Sequence, residues 1–105
     1  MNLTQDEWRE RLNNDDNAVI LDVRTREEWD EGVIPNALLM DIYKGSAFIE
    51  EVKTLDKSKN YYVYCKAGGR SQQACHIMNQ LGFDNTYNLS SGFMSWTGKS
   101  TLPDK

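Results

Sequence analysis

The stretch Tyr61-Tyr62-Val63-Tyr64-Cys65-Lys66-Ala67-Gly68-Gly69-Arg70-Ser71 passes from strand to loop to helix. Tyr61 to Tyr64 are strong β-formers and follow a polar turn at Asp56 to Asn60, so they read as a strand. From Arg70 the period changes. Ala74, Ile77, Met78 and Leu81 recur at helical spacing, and Gly82 reads as the stop. A strand that runs through glycines straight into a helix is a building unit of an α/β domain.

The flanking chain repeats this alternation. Thr4 and Glu7 form a capping-box pattern at a helix start, with Leu3 and Trp8 at staple spacing, and the helix fades near Asn13-Asn14. Ala18 to Val23 is an apolar run broken only by Asp22, as expected of a strand buried on both faces of a parallel sheet. Thr25 and Glu28 repeat the capping box. Gly32 and Pro35 mark a loop before a second strand at Ala37 to Ile42. Phe48, Ile49, Val52 and Leu55 place a helix over Ser46 to Leu55. A fourth strand is expected at Asn85 to Leu89, a short last helix at Ser91 to Trp96, and a tail at residues 97–105. The pattern predicts one three-layer α/β domain over residues 1–105, a mostly parallel sheet flanked by helices. In such sheets ligands gather at the carboxyl ends of the strands, where Cys65 stands.

Composition narrows the function. The chain has 105 residues, enough for one core, with 39% hydrophobic and 27% charged residues. A net charge of -4 supplies no overall basic field for nucleic acid. The first residues lack the basic start and apolar run of an export signal, and no apolar run approaches a membrane span. These features favour the cytoplasm, where thiols stay reduced. Two cysteines, Cys65 and Cys75, are too few for a disulfide scaffold, and one histidine, His76, without a paired C-x-x-C gives no metal site.

The Cys65 loop carries the chemistry. Successive N–H groups in such a turn converge into an anion-binding nest, and the following helix adds free N–H groups and its positive dipole end. Gly68 and Gly69 permit a tight cradle, while Lys66 and Arg70 add positive charge. A thiol at the centre of this cradle ionises more readily. An activated thiolate of this kind suits attack on a sulfane sulfur, to give a persulfide, or on phosphorus, to give a phosphocysteine. The phosphoryl group needs the wider ring, and here four residues separate Cys65 from Arg70.

With these residues in view, the chain resembles the rhodanese family of sulfurtransferases. Cys65 to Ser71 matches the family's C-x-x-G-x-R-S loop, and Asp22-Val23-Arg24 its D-V-R strand end. Glu28-Trp29 with Gly32-Val33-Ile34-Pro35-Asn36-Ala37 resembles its E-[aromatic]-x-x-G-H-I-P-G-A segment, and Ser91 to Trp96 its G-G-x-x-x-W. The landmarks come in family order across nearly the whole chain. Cysteine phosphatases that share the rhodanese-like fold have one residue more between Cys and Arg. Three departures stand out: Val33 in place of the frequent His, Asn36 in place of Gly, and Ser91 in place of the first Gly of the pair.

The resemblance implies a sulfurtransferase that carries sulfur on Cys65. The donor is a small sulfane compound such as thiosulfate and the acceptor cyanide or a thiol, with no cofactor, nucleic acid or membrane involved. Cys65 is the nucleophile. Arg70 contacts the anion or braces the loop through a carboxylate such as Glu28. Lys66, Ala67, Gly68, Gly69 and Ser71 line the donor site. Asp22, Arg24 and Glu28 give structural support beneath the loop. Cys75 is expected to pack in the core, with a resolving role the lesser reading. Phe93 and Trp96 are expected to pack at core and rim. A non-catalytic binding module and a cysteine phosphatase are the rival readings.

Overall fold

Capping decides where the helices begin. In the computed structural model, which describes residues 1–103, helix α1 spans Gln5–Asn13 and α2 spans Arg26–Glu31. Both carry complete capping boxes. Thr4 Oγ1 accepts from Glu7 N–H while Glu7 accepts from Thr4 N–H, and Thr25 and Glu28 exchange the same pair. Helix α3 spans Ser46–Lys53 and α4 spans Gly69–Gln80.

Strands alternate with these helices. They are β1 (Asn2–Leu3), β2 (Ala18–Asp22), β3 (Leu38–Leu39), β4 (Asn60–Tyr64) and β5 (Thr86–Leu89). All pair in parallel in the order β1-β5-β4-β2-β3. Strand β4 is therefore central, and its side chains split by the two-residue period. Tyr61, Val63 and Cys65 face one core with Leu21, Phe48, Val52, Ala74 and Met78. Tyr62 and Tyr64 face the other with Trp8, Ile20, Ile34 and Leu89. Helices α3 and α4 cover the first face. Helix α1 and the segment around Phe93 and Trp96 cover the second, so Phe93 and Trp96 pack as expected. Trp8 is the anchor there: it is fully buried, stacks edge-on against Tyr62, Tyr64 and Trp96, and donates its indole N–H to Tyr87 O at 3.1 Å.

The structure corrects several expected boundaries. Asn2–Leu3 is a strand that local pattern did not indicate, because two residues have no period. It exists through its partner: Asn88 N–H donates to Met1 O at 2.8 Å and Ser90 N–H to Leu3 O at 3.0 Å. The strand expected at Ala37 to Ile42 shrinks to Leu38–Leu39, and Ile42–Lys44 forms a one-turn 3-10 helix capped by Asp41. The last helix is one 3-10 turn at Phe93–Ser95. The segment expected as a tail binds back: Thr101 pairs antiparallel with Val33. Its last two residues lie outside the described ones. No described helix is long and apolar enough to cross a membrane.

Candidate active site

Parallel order brings the carboxyl ends of β2 and β4 side by side, with Asp22 opposite Tyr64. Cys65 follows β4 directly and faces the start of α4. The thiol is 1% exposed. Its Sγ accepts from Gly68 N–H at 3.1 Å and faces the Ser71 hydroxyl at 3.3 Å. Burial pushes this thiol up, but the Ser71 hydroxyl and the N–H groups of Ser71, Ala67 and Gly68 pull it further down. The net direction is down, toward the thiolate. Among the expected donor-site residues, Ala67, Gly68 and Ser71 thus converge on the sulfur. Lys66 and Gly69 are exposed at the rim of the loop.

Gly68 is required by close approach as well as by angle. Its φ is +96°, and a side chain there would collide with Ser90 O. The second wall of the cradle is the segment Ser90–Met94. Phe93 N–H donates to Cys65 O at 2.8 Å and Met94 N–H to Lys66 O at 3.0 Å. Gly92, at φ +73°, sits so near Lys66 O that a Cβ has no room. Spacing marks the motif and the packing of the last helix but not its clamp on the Cys65 loop.

Arg70 braces rather than points free. Its Nη1 and Nη2 donate to Glu28 Oε1 and Oε2 at 2.7 and 2.9 Å, a bidentate pair. Of the two roles expected for Arg70, bracing through Glu28 is the one the geometry displays. The same Glu28 carboxylate caps α2, so one side chain ties the start of α2 to the start of α4. The Arg70 guanidinium, with burial opposing and Thr25 assisting, holds the Glu28 carboxyl down to about 2. The Tyr43 ring lies 5.4 Å from the Arg70 guanidinium and is largely exposed.

Asp22 and Arg24 form a buried pair, at 0% and 4% exposure. Arg24 Nη2 donates to Asp22 Oδ2 and Gly32 O, both at 2.7 Å, and its guanidinium lies over Phe93. This pair joins the end of β2 to the α2 exit and to the second wall. Asn36 adopts φ +71°, a left-handed angle where the family pattern has Gly. Val33 is buried and pairs with Thr101.

Cys75 lies in the middle of α4, in the same core as Cys65. Burial pushes its thiol up to about 11, against a small opposing pull from Thr86. His76 is exposed. A cavity of about 770 Å³ between α1, β2 and the Ile34–Leu38 segment shares no residue with the Cys65 loop.

One residue of the site escaped the sequence reading. Asn88 on β5 is 2% exposed; its Oδ1 accepts from the Ser71 hydroxyl, and its Nδ2 donates to Gly68 O at 3.2 Å. The available signal was an asparagine, a poor β-former, in a strand next to the sheet centre.

Comparison with known proteins agrees with this geometry. A sequence model of the rhodanese-like domain matches residues 4–99. The chain is 37% identical over 92 residues to YtwF of Bacillus subtilis, covering 88% of this chain and 85% of that one. It is 36% identical over 86 residues to the thiosulfate sulfurtransferase GlpE of Coxiella burnetii, covering 82% and 78%. The rhodanese-like domain protein of Staphylococcus aureus superposes with a TM-score of 0.81 at 29% identity, over 99% of this chain and 97% of that one. Relatives named as sulfurtransferases, the cradle around Cys65 and the parallel sheet beneath it converge, and the chain belongs to the rhodanese-like domain family.

Proposed function

We propose that this protein is a thiosulfate:acceptor sulfurtransferase that works through a persulfide on Cys65. The observation that carries the reading is the convergence of the Gly68 N–H and the Ser71 hydroxyl on one buried sulfur. The Cys65 thiolate attacks the outer sulfur of thiosulfate. The S–S bond of the donor breaks, sulfite leaves with the electron pair, and Cys65 keeps the sulfur as a persulfide. The loop N–H groups that hold the thiolate then hold the terminal sulfur. Cyanide or a thiol attacks that sulfur, takes it, and returns the Cys65 thiolate. The two half-reactions predict ping-pong kinetics.

Arg70 fixes the cradle through Glu28, and Lys66 attracts the anionic donor from the exposed rim. The relative named as a thiosulfate sulfurtransferase supports the choice of donor. The two free, unpaired cysteines suit a reducing compartment, which supports a cytoplasmic setting. The four-residue spacing between Cys65 and Arg70 argues against phosphoryl transfer.

The 1% exposure of Cys65 favours a second reading, a non-catalytic binding module. Intact-mass spectrometry after incubation with thiosulfate separates the two. A gain of one sulfur, lost on addition of cyanide and absent in Cys65→Ser, is expected of the enzyme. No adduct on folded protein is expected of the module.

A further inference from the structure

The Ser71 hydroxyl has one proton and three acceptors within reach. Its Oγ stands 3.3 Å from Cys65 Sγ, 3.2 Å from Gly68 O, and in close contact with Asn88 Oδ1. A hydroxyl donates once, so these contacts cannot all be donations at the same time. The orientation of Asn88 is not free to adapt. Gly68 O is an acceptor only, so the amide end 3.2 Å from it is the nitrogen. That nitrogen also donates to Asn2 Oδ1 at 2.9 Å, which leaves Oδ1 facing Ser71.

We propose that Asn88 is a positioning residue for Cys65: it competes with the sulfur for the single proton of Ser71, and the hydroxyl turns from Asn88 to Cys65 as the thiol becomes a thiolate. In the thiol form, Cys65 S–H donates to Ser71 Oγ and Ser71 O–H donates to Asn88 Oδ1. On ionisation the thiol proton passes to solvent and the Ser71 O–H rotates onto the sulfur. Asn88 Oδ1 then faces the Ser71 oxygen with no proton between them. The exchange sets how much of the Ser71 hydrogen bond reaches the thiolate, and low exposure of all three residues keeps water from replacing it. Through Nδ2 the same amide holds Gly68, whose N–H is the other donor to sulfur.

The side-chain contacts of Asn88 are all uncharged: Ser71, Gly68 and Asn2. The charged groups around Cys65 stand on other elements. Arg70 comes from α4, paired with Glu28 of α2, and acts on the sulfur by charge. Tyr43 stacks on Arg70, Lys66 is the next residue along the loop, and the Asp22–Arg24 pair closes on itself at the end of β2. Cys75 of α4 and the Met1 ammonium, which donates to Thr86 O, lie toward β5. None of these changes when Asn88 is replaced, so a shift of Cys65 that depends on Ser71 reads the proposed exchange.

The inference rests on Cys65 as the reacting thiol, yet its readout is alkylation, which needs no sulfur transfer. The pH dependence of iodoacetamide modification at Cys65, followed by mass on its peptide, is measured for Asn88→Leu, Ser71→Ala and the double variant. Asn88→Leu frees the Ser71 proton and is expected to lower the midpoint by about half to one pH unit. In the Ser71→Ala background the same substitution is expected to give no fall, since only the Gly68 contact remains to be lost there and its loss can only raise the midpoint. An equal shift in both backgrounds, an upward shift with Ser71 present, or no shift in either overturns the proposal. If Asn88→Leu does not fold, Asn88→Asp reads the same competition with an acceptor of similar shape. It is expected to raise the midpoint more with Ser71 present than with Ser71→Ala. An equal rise in both would assign the effect to charge alone and sink the exchange.

Discussion

Cys65 and Cys75 are both buried, at 1% and 4% exposure, and both belong to the core under α3 and α4. Their thiols are nevertheless driven in opposite directions. Cys75 sits mid-helix, where every backbone N–H is already spent on the helix, and burial carries it up to about 11. Cys65 sits where a strand ends and a helix has not yet begun, and there the unspent N–H groups turn toward it. Burial of a thiol therefore says nothing about reactivity on its own. What decides is whether donors are left to meet the sulfur, here the Ser71 hydroxyl first and then the unspent N–H groups of the loop and helix start.

The sharpest break of this comparison is Cys65→Ser. Sulfur transfer from thiosulfate to cyanide should fall by about three orders of magnitude or more, since a hydroxyl forms no persulfide. Near-native turnover in a steady-state cyanide assay would take Cys65 out of the mechanism. Arg70→Ala should come next, slowing persulfide formation at saturating thiosulfate by about ten- to a hundred-fold. It removes the bidentate brace and leaves the Glu28 carboxylate unpaired beside the loop. Iodoacetamide should then modify Cys65 more slowly at neutral pH. A loss confined to KM, with unchanged alkylation, would reduce Arg70 to a steering charge.

The brace also predicts an acid limb in stability. The folded-state pKa of Glu28 is depressed to about 2, so its stabilisation is complete above the usual carboxylate range. It is lost as pH falls from there toward about 2. Thermal melts of Glu28→Gln should show a deficit of about 1 kcal/mol at neutral pH that narrows in acid. A deficit independent of pH would mean that Glu28 acts by packing alone. Lys66→Ala should have a smaller effect, raising the KM for thiosulfate a few-fold with kcat little changed, and less so in high salt. A salt-independent loss of kcat would place Lys66 inside the cradle instead. The smallest effect should come from Cys75→Ala: unchanged turnover and a stability cost of about 1–2 kcal/mol. Loss of turnover in a folded variant would give Cys75 a redox role that its high pKa opposes.

Much of the molecule was legible from local chemistry. The capping boxes at Thr4 and Thr25 marked two helix starts because a cap is a contact between residues three apart. The apolar run at β2 and the aromatic run at β4 announced buried strands because period and burial are written in one segment. Cys65 was legible for the same reason: its glycines, its cations and the helix start follow it directly. What joins distant segments was not. Strand β1 exists because β5 pairs with it, and the clamp of Phe93 and Met94 on the Cys65 loop exists because two loops meet at one end of the sheet. The choice of Glu28 as the partner of Arg70, 42 residues away, and the place of Asn88 behind Ser71 belong to the same class. The sequence alone determined the four α-helices, the strands β2, β4 and β5, and which thiol has unspent donors beside it, since those depend on neighbours along the chain. Only the tertiary structure decided which carboxylate braces the loop and which amide shares its proton, because strand order sets what meets at the carboxyl edge of the sheet and no local period records it.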